Sequence, residues 1–289
     1  MTPSFKWPCL LALGIASLAA QAAEPGPWRP LLDAQLSNFE VYLSYRGEDI
    51  LDVVQGRAPP TLKPIGLNPG GQTVFSVIEN DGRPPVLRIS GEIYGCLQTR
   101  ESFSNYHLRL ETRWGRKKWV PRLNEPRDSG ILYHSRGEFG VDYWKSWALS
   151  HEFQVIEHGL GEYWTQATSA MDIRAMPKAP NEQAPRWNPH APWMEFAASN
   201  NHALAGSDQD RPGRWNLLEL ICFQDDCVHV VNGKVVMALR GARYRENGRW
   251  VPMTGGKLQF QSEAAEVFYR NIEIRTIPAM PTMLAGYFK

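Results

Sequence analysis

The chain predicts an all-β fold, two sheets packed as a sandwich, and three observations carry that reading. Residues His107 to Trp114 place Leu108, Leu110, Thr112 and Trp114 on one side and His107, Arg109, Glu111 and Arg113 on the other, the two-residue period of a half-buried strand. Val228 to Leu239 holds two β-branched runs separated by Asn232-Gly233, the dipeptide best suited to a type I′ hairpin. The chain carries 24 Gly and 22 Pro as turn markers and shows no long amphipathic helical pattern, which favours strands joined by turns over helices.

From the N-terminus, residues 1–22 read as a secretory signal: basic Lys6, an apolar run from Leu10 to Ala19, and Ala20-Gln21-Ala22 as an A-x-A cleavage pattern. That run is too short to span a membrane. Cys9 precedes the run, away from a cleavage site, which argues against a lipoprotein anchor. One domain is expected from Trp28 to Pro278, with a small N-terminal subdomain as the alternative because of the Pro-rich connections at 56–70. Residues 116–128 and the proline-rich 177–213 read as surface loops, the second long enough to cover a face of the sandwich. Phe268 to Ile274 alternates as a last strand, and 279–289 reads as a short tail. Export to the periplasm or the exterior follows from the signal, with no membrane insertion once it is removed.

Without Lys6, basic and acidic residues balance at 30 each, which gives no electrostatic basis for binding nucleic acid or an anionic membrane. Three cysteines remain. Cys222 and Cys227 flank the turn-like Phe-Gln-Asp-Asp, so a disulfide between them is expected in an oxidising compartment; two reduced thiols or a bridge using Cys96 are the alternatives.

The most informative stretch is His151-Glu152-Phe153-Gln154-Val155-Ile156-Glu157. On a strand Glu152 and Gln154 project together while Phe153 and Val155 point into a core. Glu157 breaks the parity. A β-bulge near Val155 or Ile156 would return it to the face of Glu152, giving Glu-x-Gln-x-x-Glu on one surface.

Several ordered motifs then resemble one family. Asn105-Tyr106-His107-Leu108-Arg109-Leu110-Glu111, Asp128-Ser129-Gly130-Ile131-Leu132-Tyr133 and Glu152-Phe153-Gln154-Val155 are similar to the 3-keto-disaccharide hydrolase domain, also called domain of unknown function 1080. Trp215-Asn216, Val231-Asn232-Gly233-Lys234-Val235, Leu258-Gln259-Phe260-Gln261-Ser262-Glu263 and Tyr269-Arg270-Asn271-Ile272 follow in the order of its C-terminal half, so the likeness covers roughly 70–276. The resemblance implies a concanavalin A-like jelly-roll β-sandwich of two antiparallel sheets, with long covering loops, and cleavage of glycosidic bonds in sugars oxidised at C3.

A 3-keto group acidifies the C2 hydrogen, so a base can remove it and the C1 substituent can leave, with water adding afterwards. The route needs a base, an acid and something to stabilise an enolate oxygen, by hydrogen bonds or a divalent metal. Glu152, Glu157 and His134 are the expected catalytic groups, with Gln154 as a hydrogen-bonding positioner. Asp128, Trp144, Trp147, His158, Trp164, Gln261 and Glu263 are expected to bind the saccharide, the tryptophans by stacking on sugar C–H faces. His134 and His158 also stand as metal ligands, and the sequence assigns no metal. Laminarinase-like sandwiches carry Glu-x-Asp-x-x-Glu; here the middle acid is Gln154, which favours elimination over ordinary retaining hydrolysis. Each choice has a plainer reading: solvated strand carboxylates, surface histidines, a turn cap at Asp128, tryptophans in the core, and a solvated basic run over Arg113, Arg116, Lys117, Lys118 and Arg122. A noncatalytic carbohydrate-binding envelope protein is the competing class. Oligomeric state, sugar and linkage are not legible.

Overall fold

The computed structural model describes residues 24–80, 83–198 and 200–289, so the expected signal segment with Lys6 and Cys9 lies outside the described residues. In chain order the strands are β1 (Arg29–Pro30), β2 (Phe39–Arg46), β3 (Gly66–Leu67), β4 (Phe75–Asn80), β5 (Arg83–Ile89), β6 (Ile93–Thr99), β7 (Phe103–Ser104), β8 (Tyr106–Lys118), β9 (Asp128–Arg136), β10 (Leu149–Ile156) and β11 (Tyr163–Gln166). They continue as β12 (Ser169–Met176), β13 (Arg186–Trp187), β14 (Trp193–Ala197), β15 (His202–Ala203), β16 (Asn216–Phe223), β17 (Asp226–Val231), β18 (Lys234–Glu246), β19 (Arg249–Pro252), β20 (Gly255–Ser262) and β21 (Ala265–Thr276). One short helix, α1 (Gly47–Val54), follows β2, and none of the described helices is long and apolar enough to cross a membrane.

The strands form two antiparallel sheets, a jelly-roll β-sandwich as expected. The larger sheet runs β13-β12-β18-β17-β16-β8-β21-β5-β4, and the smaller runs β15-β11-β10-β9-β20-β6-β2-β3. Alternation explains the packing. Leu108 and Leu110 of β8, Leu218 and Leu220 of β16, and Val267 and Tyr269 of β21 meet Ile131, Tyr133, Phe153 and Val155 of the smaller sheet in one buried cluster. Each large aliphatic side chain buried there is worth about 1.5–3 kcal/mol. Asn232 and Gly233 have φ of 51° and 80° between β17 and β18, the left-handed pair that a type I′ turn requires.

The loop expectations hold in part. Residues 116–118 are the end of β8, and only the segment from 119 to 127 turns before β9. The 177–213 stretch is not loop throughout. Its short strands β13 and β14 pair with β12 of one sheet while β15 pairs with β11 of the other, so it stitches two sheet edges together. Residues 279–289 pack back on the core through Leu284, Tyr287 and Phe288. Cys222 and Cys227 face each other across β16 and β17 as expected, but as two thiols with Sγ atoms 2.9 Å apart rather than as a bridge.

Candidate active site

The outward face of the smaller sheet, where β11, β10, β9, β20 and β6 run side by side, gathers polar side chains that are nonetheless buried. Parity does this. Glu152 pairs with Leu132 of β9 and Trp164 of β11, and Leu132 pairs in turn with Gln259 of β20, which pairs with Gln98 of β6. Glu152, Gln154, Gln166, Gln259, Gln261 and Gln98 therefore share one surface, with Asp128 at the start of β9 and Glu263 just past β20.

Glu152 is the centre of this surface. Only 2% of it is exposed, and Gln166 Nε2 donates to its Oε2 at 2.5 Å. Gly130 lies beneath: a Cβ there would sit 2.1 Å from Glu152 Oε1 and 2.5 Å from Gln261 Oε1, so only glycine leaves room for both. Burial, reinforced by the charge of Asp128, pushes the Glu152 carboxyl up to about 8, so it is largely neutral at neutral pH. Glu162, on the turn into β11, is pushed to about 8 by the same two causes.

Asp128 and Glu263 share one cation. Arg122, from the loop before β9, places its guanidinium 2.5 Å from Asp128 Oδ2 and 3.5 Å from Glu263 Oε1. Burial raises the Asp128 carboxyl and Arg122 opposes it, leaving it at about 6; burial also lifts Glu263, with the charge of Asp128 adding to the effect. Two buried carboxyls thus share one arginine. Asp128 stands two residues along β9 from Gly130, roughly 7 Å of strand. Asp128 Oδ1, the Tyr94 hydroxyl, the Gln261 carboxamide and Gln259 Oε1 are all buried without a protein partner. Buried polar atoms are normally satisfied, and such a concentration of unsatisfied ones makes this face the candidate site.

The structure gathers Asp128, Glu152, Gln154, Trp164, Gln261 and Glu263 on this face, packs Trp144 and Trp147 beside them against Tyr94 and Leu132, and separates Glu157, His158 and His134 from it. Asp128 is not a turn cap, since Ser129 and Gly130 continue β9. Glu157 is misplaced in the sequence reading. The β9–β10 ladder runs without a shift through Ile156, so no bulge returns Glu157 to the face of Glu152. It accepts instead from Arg127 N at 2.8 Å and Arg127 Nη1 at 2.6 Å, beside a cavity of about 830 Å³ that Arg113, Arg116 and Phe268 also line. His158 lies at that cavity too, exposed and 3.4 Å from Asp208. His134 turns the opposite way. An extra residue in β9 opposite Ser150 gives it a φ of 55° and sends its ring between the sheets against Tyr106 and Tyr133. Trp147 is buried and donates to Gly95 O at 3.0 Å, a packing role rather than a stacking one. Trp164 has one face stacked on His202 at 3.9 Å, while Trp144 lies 5.6 Å from Tyr94.

Sequence reasoning missed Gln166, Glu162, Arg122, Tyr94 and Gly130. Gln166 follows from Trp164 by parity once β11 is known to pair with β10, and the Gln-x-Gln of 259 and 261 was a visible signal. Arg122 belongs to the basic run that the sequence predicts to be solvated, and folding draws it inside instead.

The family described as the 3-keto-alpha-glucoside-1,2-lyase-like domain matches residues 27–275. The chain belongs to this family. No curated protein matches the sequence. Among solved structures, the domain is similar to a protein of Parabacteroides distasonis ATCC 8503 named provisionally as a glycosyl hydrolase, at 19% identity and TM-score 0.46, covering 87% of this chain and 100% of that one. A second protein of that organism, named the same way, is 15% identical with TM-score 0.42 over 72% of this chain and 86% of its own. A carbohydrate binding module, CBM66 of Bacillus subtilis, is 9% identical with TM-score 0.38, covering 71% of this chain and 98% of that one.

Proposed function

We propose that this 3-keto-glucoside-lyase-like chain is an exported carbohydrate-active enzyme that cleaves the glycosidic bond of glycosides oxidised at C3, by elimination followed by hydration. The carrying observation is the pair of environments on the sheet face: a buried carboxyl at Glu152 pushed up to about 8 beside an arginine-paired carboxyl at Asp128 near 6. Two titratable groups pushed apart in this way suit a general acid and a general base. The family description supports the substrate class.

In this reading Asp128 takes the C2 proton, and the electron pair moves into an enolate whose oxygen faces the unpartnered Tyr94 hydroxyl and Gln261 amide. The pair then returns to form the C1–C2 double bond as the C1–O bond breaks, and neutral Glu152 gives its proton to the departing oxygen. Water then adds at C1 and gives a proton to Glu152 while Asp128 returns one to C2, which restores the 3-keto sugar and both groups. Gln166 and Gly130 hold the acid in place. Export rests on Lys6, the apolar run to Ala19 and the Ala20-Gln21-Ala22 site, and predicts a mature chain beginning at Ala23 in the periplasmic or secreted fraction.

The test is incubation of the full mature chain with 3-keto-disaccharides in D₂O, followed by NMR. Cleavage with deuterium appearing at C2 is expected. Binding without turnover of any 3-keto glycoside would leave a carbohydrate-binding protein, and cleavage without exchange at C2 would remove the elimination step.

A further inference from the structure

Beneath the catalytic face, in the interior between the two sheets, lies a second cluster that the proposed chemistry does not use. His134 of β9, Cys222 of β16 and Cys227 of β17 are all fully buried, and their donor atoms lie within 4.8 Å of one another. It is the one group of three or more His, Cys, Asp or Glu donors among the described residues close enough to share an ion.

Two features show that His134 is placed there at a cost. Its backbone adopts φ of 55°, a left-handed conformation unfavourable for a residue with a Cβ, and the bulge that results turns both Tyr133 and His134 inward. Gly256 of β20 passes so close that a Cβ there would sit 2.4 Å from the His134 carbonyl carbon, so the neighbouring strand accommodates the bulge. Yet neither ring nitrogen of His134 has a hydrogen-bond partner, although the ring is wholly buried. The Tyr106 hydroxyl, in the same region, is also buried and unpartnered. An imidazole with two unsatisfied nitrogens beside two thiols is unfavourable packing and a good ligand set.

We propose that His134, Cys222 and Cys227 form a structural site for a zinc-class divalent cation that ties the smaller sheet to the larger. The chemistry selects that class. Two thiolates and a neutral imidazole around a dication give a site with no net charge, which a closed apolar interior tolerates, whereas a monovalent cation would leave a negative charge there. Binding takes one proton from each thiol and releases both to solvent, with no change in oxidation state. With metal–sulfur bonds of about 2.3 Å, the two sulfurs must part from 2.9 Å to roughly 3.8 Å, a modest side-chain rotation. The Tyr106 hydroxyl and His151 Nε2, both buried without a partner near His134, are the neighbouring donors for a fourth position. The site is independent of the proposed glycoside chemistry.

The full mature chain, reduced anaerobically and stripped of metal, is titrated with Co²⁺ as a spectroscopic substitute and separately with Zn²⁺. One equivalent of Co²⁺ should produce thiolate-to-metal absorption in the near ultraviolet and visible bands of a tetrahedral site, and one Zn²⁺ should displace it and raise the Tm. Cys227→Ser and His134→Gln should abolish or greatly weaken the signal, with folding checked by circular dichroism. The wild-type titration stands even where a variant fails to fold. A reduced wild-type chain that takes up no Co²⁺ overturns the proposal. So does a protein isolated with Cys222 and Cys227 joined as a disulfide that binds no ion after reduction, and so does a spectrum unchanged in folded His134→Gln.

Discussion

The Glu152 carboxylate occupies the space that a side chain on Gly130 would take: a Cβ at residue 130 would lie 2.1 Å from Glu152 Oε1. The distance is far inside van der Waals contact, and the clash is with a carboxyl already held by Gln166, so it cannot swing aside without breaking that bond. Gly130→Ala should therefore lower kcat/KM for a 3-keto glycoside by about 10²-fold, the scale of misplacing a catalytic group. Gly130 does not have a positive φ, so the backbone tolerates alanine and circular dichroism should be unchanged. A variant with wild-type kinetics would remove Glu152 from the chemistry.

Glu152→Gln keeps the shape and neutral charge of the protonated acid and removes the transferable proton. Loss of turnover by about 10²–10⁴-fold is expected, with substrate binding retained. Stability should respond differently. The ordinary carboxyl titrates near 4.5 and the folded one at about 8, so between those values the folded chain holds the proton more tightly than the unfolded chain. This contribution to stability is full below pH 4.5 and is lost as pH rises through 8. The Tm of the wild type should fall relative to Glu152→Gln as pH is raised across that window, measured by calorimetry in matched buffers.

The acid must be protonated and the base ionised, so kcat/KM should follow a bell with limbs near 6 and 8, reported as macroscopic values of a coupled cluster. Arg122 sets the lower limb. It holds Asp128 down against the upward pull of burial, and replacing it by Met removes that restraint. The lower limb should move towards the upper one, narrowing the bell and reducing its peak. An unmoved lower limb in Arg122→Met would assign the base to another residue. Breaking a buried pair also costs about 3–5 kcal/mol, which a thermal melt would register separately.

Parity along β10 was legible because each step depends only on the local strand period: Phe153 and Val155 point inward, and Glu152 and Gln154 lie together outward. The Asn232-Gly233 turn was legible for the same reason. Long-range pairing was not. Arg122 looks like a solvated residue until its loop is laid beside Asp128 and Glu263, residues 6 and 141 positions away along the chain. His134 was equally hidden, since one extra residue in β9 opposite Ser150 reverses its side, and nothing in the local sequence announces it.

Glu157 separates the two ways of reading the chain. A bulge at Val155 or Ile156 would make it a partner of Glu152, but the ladder pairs Val155 with Ser129 and Ile156 with Asp128 in unbroken register. Its carboxylate is instead spent on Arg127, through the main-chain nitrogen and the guanidinium, at the rim of a different cavity. Glu157→Gln should leave kcat/KM within about threefold of wild type, because no proton in the proposed reaction passes through it. The ion pair is partly solvated, so its loss should cost no more than about 1 kcal/mol in a denaturant titration. A fall in turnover comparable to that of Glu152→Gln, with no change in fold, would mean that the two carboxylates meet in the working enzyme and that the register of β10 is not the one described.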